Sequence, residues 1–272
     1  MTRPFVFGTN FKMNQTPTES AAFYEQLSAS VQTPTDTHLF VIPPFTSLSA
    51  VKDVAGQPPH QIWVGAQNVH WAPDGAYTGE ISVRMLLALD VDLVLLGHAE
   101  RRRYFHETDV DLNRKVLAAL NAGLRVLLAV GETAEERSFG VGGETVQRQL
   151  RIGLHGARPE QLGLIQIAYE PVWSIGAGGT PASPDDVEPI ASLIRSGCED
   201  LFPGSGAEIP ILYGGSVDPG NAGTFTALPD IDGLFVGRAA WSVDGFIATY
   251  HAGYSGHRGV IGSEADGAIG SS

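Results

Sequence analysis

Eight short apolar runs recur along the chain, each ending on Gly, Pro or a polar residue, with longer stretches between them. They are PFVFGTN, HLFVIPP, QIWVGAQ, VDLVLLG, LRVLLAVG, LIQIAYE, PILYGG and DGLFVG. Runs of this length, rich in Val, Ile, Leu and aromatics, read as strands. They are apolar almost throughout rather than alternating, so both faces of the sheet must be covered, as in a parallel sheet flanked by helices. One helix is expected over Thr18–Val31, opening with Pro17-Thr18-Glu19. Another is expected over Ser183–Cys198, with Ser183 as cap and Pro184 at the first helical position. Eight strand–helix units close into a single (β/α)8 barrel, whereas doubly wound sheets more often use about five or six strands. No GxGxxG turn follows the first strand, so dinucleotide binding has no support.

The length of 272 residues suits one such barrel, for which about 250 is typical. The barrel is expected over 1–254. The Gly/Ser-rich SGHRGVIGSEADGAIGSS at 255–272 is expected to be a disordered tail. Seventeen Lys and Arg stand against 30 Asp and Glu, a formal charge of −13, which argues against nucleic acid or an anionic membrane as partner. A bound anion must then be held locally, by backbone N–H groups and one or two placed cations. The single cysteine, Cys198, excludes an intrachain disulfide framework and fits a reducing compartment. No apolar run reaches the roughly 18–20 residues of a membrane span, and MTRPFVFGTN lacks a signal-peptide core, so a cytoplasmic location is expected.

Active sites of parallel barrels gather where strands end. Here strand one ends Asn10-Phe11-Lys12-Met13-Asn14, strand four Gly97-His98-Ala99-Glu100-Arg101, and strand six at Glu170. Strands seven and eight end in Gly214-Gly215-Ser216 and Gly237-Arg238. Singly, Lys12 reads as a solvated lysine, His98 as a structural histidine and Glu170 as a helix cap before Pro171. Together, on one rim, they supply a cation, an imidazole and a carboxylate around two glycine-rich turns. Both turns are expected to precede helical starts, so their N–H groups can converge on an anion, and Gly176 could add another amide by closing over it. Positive φ alone would explain the glycines but not their placement.

In chain order, NFKMN (10–14), AQNVHWAPDGAYTGEIS (66–82), GHAERRRYF (97–105), VGET (130–133), AYEPVWSIGAGG (168–179), YGGSV (213–217) and DGLFVGRAAW (232–241) closely resemble the motifs of triosephosphate isomerase. The resemblance extends to about residue 250 and implies a TIM barrel. It also implies a cofactor-independent isomerase that interconverts aldose and ketose sugar phosphates through an enediolate, with no metal. By resemblance, Glu170 is the base that moves a proton between adjacent carbons, and His98 polarises the carbonyl. Lys12 stabilises the enediolate and phosphate charge, and Glu100 pairs with it. Asn10 contacts the substrate oxygens, and the amides of Gly176, Ser216, Gly237 and Arg238 hold the phosphate. This family is itself the established case of a neutral histidine at a helix N-terminus. Pro171–Thr180 is then a lid hinged at Pro171-Val172-Trp173 and Gly178-Gly179-Thr180. The 66–82 segment resembles the family's dimer loop, with Thr78 reaching the partner's site in a homodimer to brace Asn10 and Lys12.

Four departures stand out: Arg238 for a glycine, Ala177-Gly178-Gly179 in the lid, Ala99 for a serine and Ala129 before Val130. The VGRAAW ending and HWAPDG loop resemble the branch acting on L-erythrulose 1-phosphate. The substrate is therefore expected to be a four-carbon erythrulose phosphate or the glyceraldehyde 3-phosphate/dihydroxyacetone phosphate pair. Two other classes remain open: a non-catalytic sugar-phosphate-binding barrel and a metal-dependent aldolase or epimerase. Against the latter, only His98 sits at a strand end, while His70, His106 and His155 fall in loops or helices.

Overall fold

All eight expected strands form: β1 (Phe5–Asn10), β2 (Thr37–Ile42), β3 (Ile62–Ala66), β4 (Leu93–Leu96), β5 (Arg125–Val130), β6 (Ile165–Tyr169), β7 (Ile211–Tyr213) and β8 (Gly233–Val236). Each pairs in parallel with its sequence neighbours, and β8 returns to β1 with Val6 opposite Gly233 and Thr9 opposite Val236. Closure leaves no sheet edge unpaired. The seam needs the glycine, because a Cβ at Gly233 would stand 1.7 Å from the Val6 carbonyl oxygen. The protein is thus a single (β/α)8 barrel. The structure, a computed structural model, describes residues 3–56, 61–176 and 178–267, with side chains to residue 259.

The helices are α1 (Pro17–Ser30), α2 (Leu48–Ala55), α3 (Val83–Leu87), α4 (Ala99–Phe105), α5 (Asp109–Asn121), α6 (Ala134–Ser138), α7 (Gly142–Gly153), α8 (Pro184–Leu201), α9 (Ala222–Thr226) and α10 (Val243–Gly267). Thr16 and Glu19 form a reciprocal capping box, so α1 starts one residue earlier than expected. α8 starts as read, with Ser183 as cap, Asp186 answering it, and Pro184 first. Such caps are worth about 1 kcal/mol each.

Two apolar layers result. Val6, Phe40, Leu95, Leu127 and Leu212 fill the barrel, and a larger set packs between strands and helices. The two-residue period of the strands places His38, Trp63, Arg125 and Gln166 at the inward positions of the N-terminal mouth, below that filling.

The boundary expected at residue 254 falls inside α10. Tyr250, Tyr254 and His257 are spaced to share one helix face, and all three rings lie against Phe5, at centroid distances of 6.3, 5.6 and 5.1 Å. That aromatic stripe carries the helix through a glycine-rich sequence, so residues 255–267 extend the last helix rather than forming a tail. Residues 268–272 lie outside the described residues, as does Ala177 of the expected lid.

Candidate active site

Lys12 sits two residues beyond β1 with φ of +53°, a left-handed conformation costly for a lysine. Side chains hold it there. Its N–H donates to Asn10 Oδ1 (2.8 Å), while Gln67 Nε2 donates to the Lys12 carbonyl (2.7 Å) and to Asn10 Oδ1 (3.2 Å). Trp241 Nε1 donates to the Asn10 carbonyl at 2.9 Å. The ammonium that this bend presents pairs with Glu100 Oε1 at 2.8 Å.

His98 caps α4 and is 4% exposed. Its Nδ1 accepts from the Glu100 N–H at 3.1 Å, so in the neutral ring the proton is on Nε2. The Glu100 carboxylate also lies 3.7 Å from Nδ1, but that nitrogen's lone pair is already engaged and the carboxylate is taken by Lys12.

Glu170 follows β6 and is buried. Its N–H donates to the Val130 carbonyl (2.8 Å); its Oε2 accepts from the Ala99 N–H (3.0 Å), and its Oε1 is 3.3 Å from His98 Nε2. No side chain caps the 3-10 turn Val172–Ser174 that comes next, which removes the helix-cap reading of Glu170. Ala99 lacks the serine hydroxyl of the resemblance, yet its backbone N–H alone engages the carboxylate.

All nine residues singled out in the sequence line one cavity of about 540 Å³: Asn10, Lys12, His98, Glu100, Glu170, Gly176, Ser216, Gly237 and Arg238. Gly237 does open a helical turn, Arg238–Ala240. The other expected helical start differs, since α9 begins only at Ala222. The Asp218 carboxylate accepts from the N–H groups of Gly220 and Asn221, making a separate turn between Ser216 and the helix. Any anion held by 214–216 would therefore meet loop amides, not a helix end.

Several residues around the site were not singled out in the sequence. Glu132, just past β5, accepts from Trp173 Nε1 (2.6 Å) and Tyr169 Oη (3.1 Å), and burial pushes its carboxyl pKa up. The Arg137 guanidinium lies 3.7 Å above the Trp173 ring and pairs with Asp186 at 2.6 Å. The Trp173 ring, in the expected first hinge, is therefore gripped on its edge and its face. Gln67 and Trp241 brace Asn10, and Gln149 brackets Gly131 through both its N–H (2.7 Å) and its carbonyl (3.0 Å). The QN and AAW of the quoted motifs were the available signal for the first two.

In the 66–82 segment, residues 73–80 are exposed, Thr78 among them, and His70 packs between the rings of Trp71 and Tyr77 at 4.2 Å from each. Among the described residues no three His, Cys, Asp or Glu side chains gather as a metal-ligand set. None of the described helices is long and apolar enough to cross a membrane.

A family model for triosephosphate isomerase matches residues 4–252. The L-erythrulose-1-phosphate isomerase of Rhizobium etli is 44% identical over 242 residues, spanning 88% of this chain and 89% of its own. The enzyme of the same name from Mesorhizobium japonicum is 45% identical over 242 residues, 88% and 93% of the two chains. The triosephosphate isomerase of Carboxydothermus hydrogenoformans is 44% identical over 249 residues, 91% and 98% of the two. A closed eight-stranded barrel, one cavity lined by all nine residues singled out, and these matches over nearly the whole length agree: the chain belongs to the triosephosphate isomerase family.

Proposed function

We propose that the protein is a cofactor-independent aldose–ketose isomerase of a small sugar phosphate, with L-erythrulose 1-phosphate favoured over the triose phosphates. The observation that carries it is the convergence of Glu170, His98 and Lys12 on one cavity, with the His98 proton directed to Nε2. The Glu170 carboxylate removes a proton from the carbon beside the substrate carbonyl. The C–H electrons move onto the carbonyl oxygen, where His98 Nε2–H and the Lys12 ammonium meet the growing charge. The same carboxylic acid then returns the proton to the neighbouring carbon as the other carbonyl forms. A positioned base contributes about 10²–10⁴-fold, and preorganised donors add a large electrostatic share. Both Glu170 oxygens face donors on α4, so the carboxylate must turn away from Ala99 and His98 to reach a C–H bond. The amides of Gly176, Ser216, Gly237 and Arg238 hold the phosphate.

Arg238 supports the four-carbon choice. It lines the cavity at the position where the resemblance expects a second glycine, within the VGRAAW ending that resembles the erythrulose branch. Two relatives at 44–45% identity carry the erythrulose name. One extra hydroxymethylene is worth about 1–3 kcal/mol, so the preference should reach about ten- to a hundredfold in kcat/KM. We read the exposed 73–80 loop, with Thr78, as a homodimer contact that reaches the partner's Lys12. The setting is taken as cytoplasmic, in keeping with Cys198 as a buried thiol.

The test is isomerisation of L-erythrulose 1-phosphate and glyceraldehyde 3-phosphate side by side, with Glu170→Gln as blank. Turnover of the tetrulose that falls at least about a hundredfold in Glu170→Gln supports the proposal. Arg238→Gly should shift preference towards the triose. A triose preference in the parent protein overturns the substrate choice alone. Absence of turnover above the blank, with phosphate still bound, makes the protein a sugar-phosphate binder.

A further inference from the structure

The pairing between β1 and β8 stops just before the bend that carries Lys12. Its last partners are Thr9 and Val236. Carried one step further, the same register would set Asn10 opposite Gly237, and the Asn10 carbonyl would accept from the N–H of Arg238. The chain does not continue that way. At Gly237 (φ −93°, ψ −118°) it turns into the short helical turn Arg238–Ala240. In a residue as buried as Asn10, a carbonyl without a donor is costly. The indole of Trp241 supplies the donor, with Nε1 at 2.9 Å from the Asn10 carbonyl oxygen. The Arg238 N–H is thereby released from the ladder for the phosphate that the proposed function assigns to it.

Trp241 also holds the far end of the bend. Gln15 Nε2 donates to the Trp241 carbonyl at 3.3 Å. One residue thus grips the loop both where it leaves β1 and where it reaches Thr16, the cap of α1. Phe11 anchors the first half, buried and with its N–H on the Ile42 carbonyl. Beyond it the packing thins, since Met13 and Asn14 are exposed. Yet Lys12 and Gln15 both sit at positive φ, +53° and +64°. Backbone held in that region relaxes unless its surroundings fix it.

We propose that Trp241 is a positioning residue for Lys12. It stands in for the missing ladder donor and holds Gln15, and so fixes the bend from which the ammonium reaches Glu100. The anchor lies within one chain and acts with or without a docked partner. The inference rests on the isomerase reading of the site. Trp241 also lines the cavity, so direct contact with substrate is the rival role that the test must separate.

Trp241→Phe removes the donor and keeps an aromatic ring. Backbone hydrogen exchange of the full chain, read on the peptide spanning 11–15, should run at least about tenfold faster than in the parent, with β4 and β5 unchanged. Isomerisation of the better substrate should fall about ten- to a hundredfold in kcat/KM. In a Lys12→Ala background the same change should cost less than about threefold, because the residue it positions is already gone. Losses that multiply would make Trp241 a substrate contact and overturn the proposal. Gln15→Met cuts the second grip at little cost to the fold, since Gln15 Oε1 has no partner among the described residues. It should speed the same exchange and lower kcat/KM at least about threefold, which decides the matter if Trp241→Phe fails to fold. Unchanged exchange in a folded variant of either kind overturns the proposal. A parent without turnover removes the isomerase reading instead, and the exchange rates still decide whether Trp241 holds the bend.

Discussion

Replacing Gly131 by alanine should cost catalysis far more than folding, although Gly131 touches no substrate. Gly131 stands at the end of β5 against the backbone that carries Glu170. A Cβ there would lie 1.8 Å from the Glu170 carbonyl oxygen and 2.6 Å from its carbonyl carbon, where real Cβ contacts stay beyond 3.0 Å. One side must move by at least about 1.2 Å. Gly131 cannot readily yield, because the buried Gln149 amide holds both its N–H and its carbonyl. The displacement therefore passes to Glu170 and strains its bond to the Val130 carbonyl.

Overpacking of this kind costs about 1–3 kcal/mol of stability, which a barrel of this size tolerates. A misplacement of about 1 Å at a reacting group costs about a hundredfold in rate, or ~2.7 kcal/mol of activation free energy. The expectation for Gly131→Ala is a folded protein with kcat down about a hundredfold. KM should change little, since Lys12, Ser216 and Gly237 follow other strands, β1, β7 and β8. The assay is steady-state isomerisation on the better substrate, beside a thermal melt and far-ultraviolet circular dichroism. A folded variant with kcat within threefold of the parent would refute the reasoning, because the shift would then have gone somewhere other than the base.

Three further outcomes follow from buried polar groups. Arg195 joins Asp232 (2.5 Å), Asp230 (3.3 Å) and the carbonyls of Ala207 and Ile209, so Arg195→Met should lower unfolding free energy by about 3 kcal/mol in urea, the low end for a broken buried pair because Arg3 still holds Asp232. Burial pushes the Cys198 thiol up to about 12, so it should resist a disulfide reagent at pH 8 in the native protein and react at once in denaturant. The Glu132 carboxyl is raised from its usual 4.5, chiefly by burial and against the opposing bond from Trp173, so the fold holds that proton more tightly than the unfolded chain does. The resulting stability is present below about pH 4.5 and lost as pH rises through the folded pKa. Glu132→Gln should therefore gain stability relative to the parent between pH 4.5 and pH 8, and a flat difference in urea midpoint would count against it.

The barrel and its rim were legible because both depend on local pattern. Apolar runs of four to seven residues mark strands, and an odd polar residue at a strand end stands out against them, as Lys12, His98 and Glu170 do. What was not legible depends on distance in space. Gln67 reaches Lys12 across 55 positions of chain, and Trp241 reaches Asn10 across 231. No periodicity announces such contacts. The His98 tautomer follows from one backbone N–H, which becomes visible only once α4 is built. Residues 255–267 misled for another reason: glycine lowers helix propensity, and that local signal outweighed the helical spacing of Tyr250, Tyr254 and His257.

Closure of the barrel also sets an order in time. β1 is the first strand synthesised, yet its second neighbour, β8, ends at Val236, and the aromatic rings that cover Phe5 arrive only with Tyr250 to His257. At roughly 5–20 residues per second, ribosomal synthesis leaves one side of β1 without its partner for about 10–50 s. In the native register no described strand before β8 pairs with that edge. For most of its production the nascent chain carries an apolar first strand short of one native partner, an exposed edge that invites pairing with other chains until β8 arrives.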